Sequence, residues 1–165
     1  MKKNTFMKIA WPWLFISGVV IVLDQLSKWL VIHAMPDESV VSLLPFLNMI
    51  VSFNTGASFG FLDHSSGWHV YMLSLISAFI SVILIRWLMR IPRHDWWVAL
   101  PVSLVLGGAI GNLIDRLHYG FVIDFIDFHV KSWHYATFNI ADSAVCIGAV
   151  WLVIRLSYES FTRES

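Results

Sequence analysis

Three aspartates stand in runs that otherwise carry no charge. The stretch "GFVIDFIDF" (residues 120–128) contains Asp124 and Asp127, and "FNIADSAVCIGAVWLVI" (138–154) contains Asp142. A carboxylate is costly in apolar surroundings, so one found there is by default a candidate functional group. Asp124 and Asp142 have no Lys or Arg beside them in sequence to neutralise them. Two carboxylates held close tend to share one proton, with one apparent pKa raised. The charged member can take a proton from water while the neutral member donates to a scissile carbonyl oxygen. This is the chemistry of an aspartic peptidase and needs no covalent intermediate. A low-dielectric boundary strengthens both the coupling and the stabilisation of a tetrahedral intermediate. Asp127, three residues after Asp124, stays open as the alternative member of the pair.

The remaining polar residues of the apolar runs have the spacing of helix faces. Asp24 and Lys28 are four apart. Asn112, Asp115 and Arg116 follow at three and four, and Asn139, Asp142, Ser143 and Cys146 at three, four and seven. Asp24–Lys28 reads as a structural ion pair, and Asp115–Arg116 as a pair that fixes a helix end. The "GGAIG" run (107–111) contains a G-x-x-x-G spacing, more often a helix contact than a ligand loop. Cys146 is expected to be a small core residue. A serine mechanism would need a general base near Ser58 or Ser143, and none is present locally. No H-E-x-x-H or comparable spacing occurs, so neither a catalytic metal nor another cofactor is expected.

These residues need elements to position them. The chain has 165 residues, 58% hydrophobic and only 13% charged, with a mean hydropathy of +0.70. A soluble domain carries about 25% charged residues, so the composition is that of a membrane protein. Formal net charge is zero and gives no case for a nucleic-acid partner. The single cysteine excludes an intrachain disulfide. Four apolar segments, at about 11–32, 68–89, 96–117 and 138–157, are each long enough to cross a bilayer as a helix. The basic start "MKKNTFMK" resembles the front of a signal peptide. The apolar run continues through Val31 with no cleavage-site pattern after it, so a retained first helix is expected.

Lys and Arg set the expected orientation. Lys2, Lys3 and Lys8 precede the first segment, Arg86, Arg90 and Arg93 lie between the second and third, and Arg155 and Arg163 are in the tail. The first connection, 33–67, has none, and the third, 118–137, has only Lys131. Both termini and the middle loop are therefore expected on the cytoplasmic side. In that topology Asp24, Gln25, Lys28, Asn112, Asp115, Arg116, Asn139 and Asp142 all fall near the outer boundary, with Asp124 in the loop that enters the fourth helix. A carrier would instead spread polar residues through the midplane and often show repeat symmetry, and neither is present. In the first outer connection, "LLPFLNMIVSFN" (43–54) reads as a strand or hairpin. "TGASFGFL" (55–62) reads as a short interfacial turn or helix.

The motifs "DQLSK" (24–28), "FNTGASFG" (53–60), "GGAIGNLIDRL" (107–117), "VIDFIDF" (122–128) and "FNIADSAV" (138–145) occur in this order over nearly the whole chain. With them the chain resembles bacterial lipoprotein signal peptidase (signal peptidase II), and no motif departs from the pattern. The termini and the loop at 86–97 carry no such signal. The resemblance implies an all-α membrane protein, one domain over 1–165, with four transmembrane helices. A small periplasmic β-structure and a short interfacial helix would come from the first outer loop. It implies an aspartyl endopeptidase of the bacterial inner membrane that cleaves prolipoproteins before the diacylglyceryl-modified cysteine, with membrane lipid around it and globomycin-type inhibitors at its dyad. The dyad matches Asp124 and Asp142. Residues matching Asn54, Asn112, Arg116 and Asn139 line the site, and Asp24, Lys28 and Asp115 are left as structural polar groups.

Overall fold

The computed structural model describes residues 3–35, 39–56, 67–92 and 94–164. Four helices carry the apolar segments: α1 (Lys3–Ala34), α2 (Trp68–Leu88), α3 (Trp96–Tyr119) and α4 (Ile140–Glu164). Each contains a stretch long and apolar enough to cross a membrane. The helices agree with the expected segments, but α1 and α4 run further toward the termini. α4 begins at Ile140 rather than at 138 because Asn139 serves as its cap.

α3 is the central helix and packs against the other three. Its small residues permit this. A Cβ on Gly107 would stand 2.7 Å from the Val20 Cβ of α1, and one on Gly148 of α4 would stand 2.6 Å from the Pro101 carbonyl of α3. Gly108 lies directly against the Ala141 backbone and Gly111 against Asp24 and Ala141. The G-x-x-x-G run is thus a packing surface, as its spacing suggested. One end of the bundle is apolar, with Leu84, Leu88, Ile91, Ala99, Val102 and Leu106 in a buried cluster. Without a hydrophobic driving force between helices in lipid, such close packing is what holds them.

The extramembrane part is a four-stranded antiparallel sheet in the order β1-β2-β3-β4. β1 (Val41–Leu44) and β2 (Leu47–Asn54) form the expected hairpin. The other half corrects the sequence reading. Residues expected as the loop entering the fourth helix are β3 (Val122–Val130), with the short β4 (Trp133–His134) after it. The sheet therefore draws on both the first and the third connections, not on the first alone. β2 pairs with β3, with Ser52 opposite Asp124 and Asn54 opposite Val122. Its β-branched and aromatic run suits a strand, but its long-range partner is not visible in sequence. The segment expected as an interfacial helix lies, from residue 57, outside the described residues.

Candidate active site

Three backbone devices bring Asp124 and Asp142 to one place. Gly120 ends α3 in the left-handed region (φ 80°), and its N–H donates to the Arg116 carbonyl at 3.1 Å. Glycine adopts this conformation without a steric cost, and the chain turns straight into β3. The Phe125 and Ile126 amides then donate to the Phe138 carbonyl at 3.1 and 2.9 Å, fastening the segment before α4 to β3. Finally α4 opens with a reciprocal cap. The Asp142 amide donates to Asn139 Oδ1 at 2.8 Å, and the Asn139 amide donates to Asp142 Oδ2 at 3.3 Å. This is the capping-box arrangement with Asn and Asp in the two roles.

The carboxylates are held by neutral amides. Asp124 is fully buried. Its Oδ1 accepts from Asn139 Nδ2 at 2.7 Å and its Oδ2 from Asn54 Nδ2 at 3.0 Å. Both amides are fixed in that orientation, because Asn139 Oδ1 accepts the Asp142 amide and Asn54 Oδ1 accepts the Gly56 amide at 2.8 Å. Asp142 is half-buried, and its Oδ1 accepts from Asn112 Nδ2 at 2.7 Å. Asn139 Nδ2 also reaches Asn112 Oδ1 at 3.2 Å, so the three amides form one network between the two acids. Among the described residues neither acid has an ion pair. Burial pushes the Asp124 carboxyl up to about 6. The charge of Asp142 adds to this, while the Asn54 and Asn139 hydrogen bonds act against it. Arg116 has its Nη1 3.4 Å from the Asn112 carbonyl, and its charge acts on Asp142, Asp115 and Asp124.

Asp127 is elsewhere. An offset of three along a strand puts it on the face opposite Asp124. There it accepts from Asn48 at 3.0 Å and meets His134 Nδ1 at 2.9 Å. Burial works to raise its pKa, but these hydrogen bonds and the nearby histidines outweigh it and hold Asp127 below the usual carboxylate value. Ser143 Oγ donates to the Asn139 carbonyl at 2.9 Å within its own helix. Ser58 lies outside the described residues.

The buried ions pair differently from the sequence reading in one respect. Lys28 Nζ is 2.7 Å from Asp24 Oδ2, the expected pair, and also 2.7 Å from Asp115 Oδ2. Asp115 therefore pairs with Lys28 across the α1–α3 interface and not with its neighbour Arg116. Successive residues on a helix do not face each other, so Asp115 meets Lys28 while the charge of Arg116 acts most on Asp142. Gln25, which the sequence grouped with Asp24 and Lys28 but gave no role, donates through Nε2 to Asp115 Oδ1 at 2.8 Å and to the Gly111 carbonyl at 3.2 Å. Its place one residue after Asp24 was the available signal. Cys146 is exposed on α4 and not a core residue, because the face of α4 that packs on α3 is made by Ala141, Val145 and Gly148.

The chain is thus a four-helix membrane protein in which one network of amides joins two acids. Residues 16–158 match the family model for signal peptidase (SPase) II. The chain is 50% identical over 147 residues to a lipoprotein signal peptidase of Coxiella burnetii (strain Dugway 5J108-111), covering 89% of this chain and 90% of that one. A lipoprotein signal peptidase of Shewanella loihica is 42% identical, with 94% and 88% covered. Among solved structures, a bacterial membrane enzyme determined by the in meso method at 2.3 Å superposes with a TM-score of 0.78 at 29% identity, covering 90% of this chain and 89% of that one. The chain belongs to the signal peptidase II family and is a multi-pass membrane peptidase.

Proposed function

We propose that the chain is an aspartyl endopeptidase that removes the signal peptide of prolipoproteins by cleaving before the diacylglyceryl-modified cysteine. The observation that carries this is the pairing of Asp124 and Asp142 through neutral amides alone, which leaves one proton to be shared. Water bound between the carboxylates loses a proton to the ionised acid as it attacks the scissile carbonyl. The protonated acid donates to the carbonyl oxygen; when the C–N bond of the tetrahedral intermediate breaks, the proton taken from water passes to the leaving amine and the hydroxyl proton returns to the acid that gave it. Asn54, Asn112 and Asn139 hold the acids in register, and Arg116 and the amides line the surface that meets the substrate. Globomycin-type peptides would occupy the same place.

The whole chain, 1–165, acts as one membrane-embedded unit. In the orientation set by Lys and Arg, both termini lie in the cytoplasm of a bacterium, and the site faces the outer side of the inner membrane. The lipid-linked substrate then reaches the acids laterally, from the bilayer. Two measurements test this. Purified protein should cleave a diacylglyceryl-modified precursor and not the unmodified one. With Cys146 replaced by Ser, a cysteine at Lys131 should react with an impermeant thiol reagent added outside intact cells, and one at His94 should not. Cleavage of both precursors alike removes the lipid requirement, and the reversed labelling pattern removes the orientation.

A further inference from the structure

The buried ion cluster grips the chain immediately before each acid of the dyad. Asp24 Oδ1 accepts the Ala141 amide at 2.9 Å, next to Asp142. Asp115 Oδ2 accepts the Ile123 amide at 3.2 Å, next to Asp124. Lys28 Nζ joins the two carboxylates, at 2.7 Å from each. Its third contact, to Asn112 Oδ1 at 3.2 Å, turns the Nδ2 of that amide toward Asp142. Asp24 and Asp115 are fully buried and Lys28 is 2% exposed, so these contacts have no competition from water.

A plain anchor between α1 and α3 would need only the ion pairs. Apart from the Gln25 amide, which donates to Asp24 and Asp115, the additional contacts go to groups bonded to, or touching, the two acids. We propose that Lys28, Asp24 and Asp115 are positioning residues for the peptidase reaction. They set the separation of Asp124 and Asp142 and the orientation of the Asn112 amide. This rests on the dyad reading given above.

The physical reason is one of leverage. The Ala141 amide is one of the first N–H groups of α4, which have no partner within the helix. Asp24 supplies that partner from another helix and so fixes where α4 begins. Asp115 likewise holds the start of the β3 strand after α3, through the Ile123 amide. One ammonium then locks both carboxylates to a single point. A flipped Asn112 would place its NH₂ against that ammonium, so Lys28 excludes the orientation that cannot donate to Asp142. A displacement of about 1 Å in a catalytic pair costs about 100-fold in rate. Buried ion clusters are poor sources of net stability but can specify geometry.

The test compares variants on the same purified material, with kcat and KM for a lipid-modified precursor referred to the folded fraction. Lys28→Met leaves two buried carboxylates with no cation. Lys28→Met/Asp115→Asn removes one charge of each sign and is the second variant, for use if the first does not fold. The expected result is a fall in kcat per folded molecule of about 10–100-fold with KM little changed. In the unaltered protein the Ile123 and Ala141 amides should exchange with deuterium as slowly as the core of α3. Unchanged kcat per folded molecule, a loss confined to KM, or fast exchange at these two amides would overturn the proposal. Asp142→Asn is the control. If it keeps full activity, the dyad reading falls and takes this inference with it. If it is inactive while the folded Lys28 variant is fully active, only the positioning role falls.

Discussion

Asp24, Asp115 and Asp124 are all fully buried, yet their surroundings differ in kind. Asp24 and Asp115 share the Lys28 ammonium and also accept backbone amides. Asp124, with Asp142 near it, has only side-chain and backbone amides as donors. A cation within bonding distance compensates the charge of a buried carboxylate. Neutral donors leave the proton available, and a second acid makes it mobile between two sites. On the dyad reading proposed above, burial does not separate an anchoring acid from a reactive one, and the partner's charge does.

The sharpest way to break this comparison is to neutralise one acid in each set. Asp124→Asn or Asp142→Asn should lower cleavage of lipid-modified precursor by about 10²–10⁴-fold, the range for loss of a general acid or base, with the protein still folded. Asp127→Asn should stay within a few-fold of the unaltered chain, because that side chain faces away. An inactive Asp127→Asn beside an active Asp124→Asn would move the dyad.

Stability should respond in the opposite sense. Lys28→Met leaves buried charges without a partner and should cost about 3–5 kcal/mol, read as a large drop in Tm in detergent. Asp124→Asn removes an unpaired buried charge and should cost little at neutral pH. Equal losses of stability from the two variants would erase the distinction between the sets.

The Asn54 arm gives a smaller effect. Gly56 has a φ of 83° and a Leu73 methyl where a Cβ would stand, so Gly56→Val should disturb the amide that orients Asn54. Asn54→Ala and Gly56→Val should each lower turnover per folded molecule about 10-fold, less than the ~100-fold that a displacement of about 1 Å costs, and the strained Gly56→Val should also lower Tm. If activity falls only with the folded fraction, this arm is structural.

The smallest effect is in pH dependence. The Asp124 pKa is raised in the folded protein to about 6 from an ordinary 3.8, so the native state holds the proton more tightly than the unfolded chain. That contribution to stability is complete below about 3.8 and is lost as pH rises through about 6. Asp124→Asn cannot ionise. Its Tm relative to the unaltered protein should be level near pH 4 and higher by a few degrees at pH 7.5, about 2–4 °C per kcal/mol for a chain of this size. A difference that shrinks with rising pH would show that the carboxyl is not raised.

The hydrophobic content and the length of the apolar runs determined the four helices by themselves, because a lipid-embedded backbone must satisfy its hydrogen bonds within a helix. The hairpin was legible from the β-branched and aromatic residues of 43–54, and the Asp24–Lys28 pair from its i,i+4 spacing. The polar positions near one end of α1, α3 and α4 also marked the candidate site, since carboxylates are rarely tolerated there without a role. Tertiary structure decided the rest. The strand at Val122–Val130 depends on β2, about 70 residues earlier in the chain, and no local pattern reports that pairing. Asp115 was assigned to the wrong cation because the adjacent Arg116 is near in sequence, whereas Lys28 is near in space. The opposite strand faces of Asp124 and Asp127 distinguish the two acids, and that distinction exists only once β3 is a strand. The amides that hold Asp124 and Asp142 come from β2, α3 and the start of α4, and only the folded chain brings the three together.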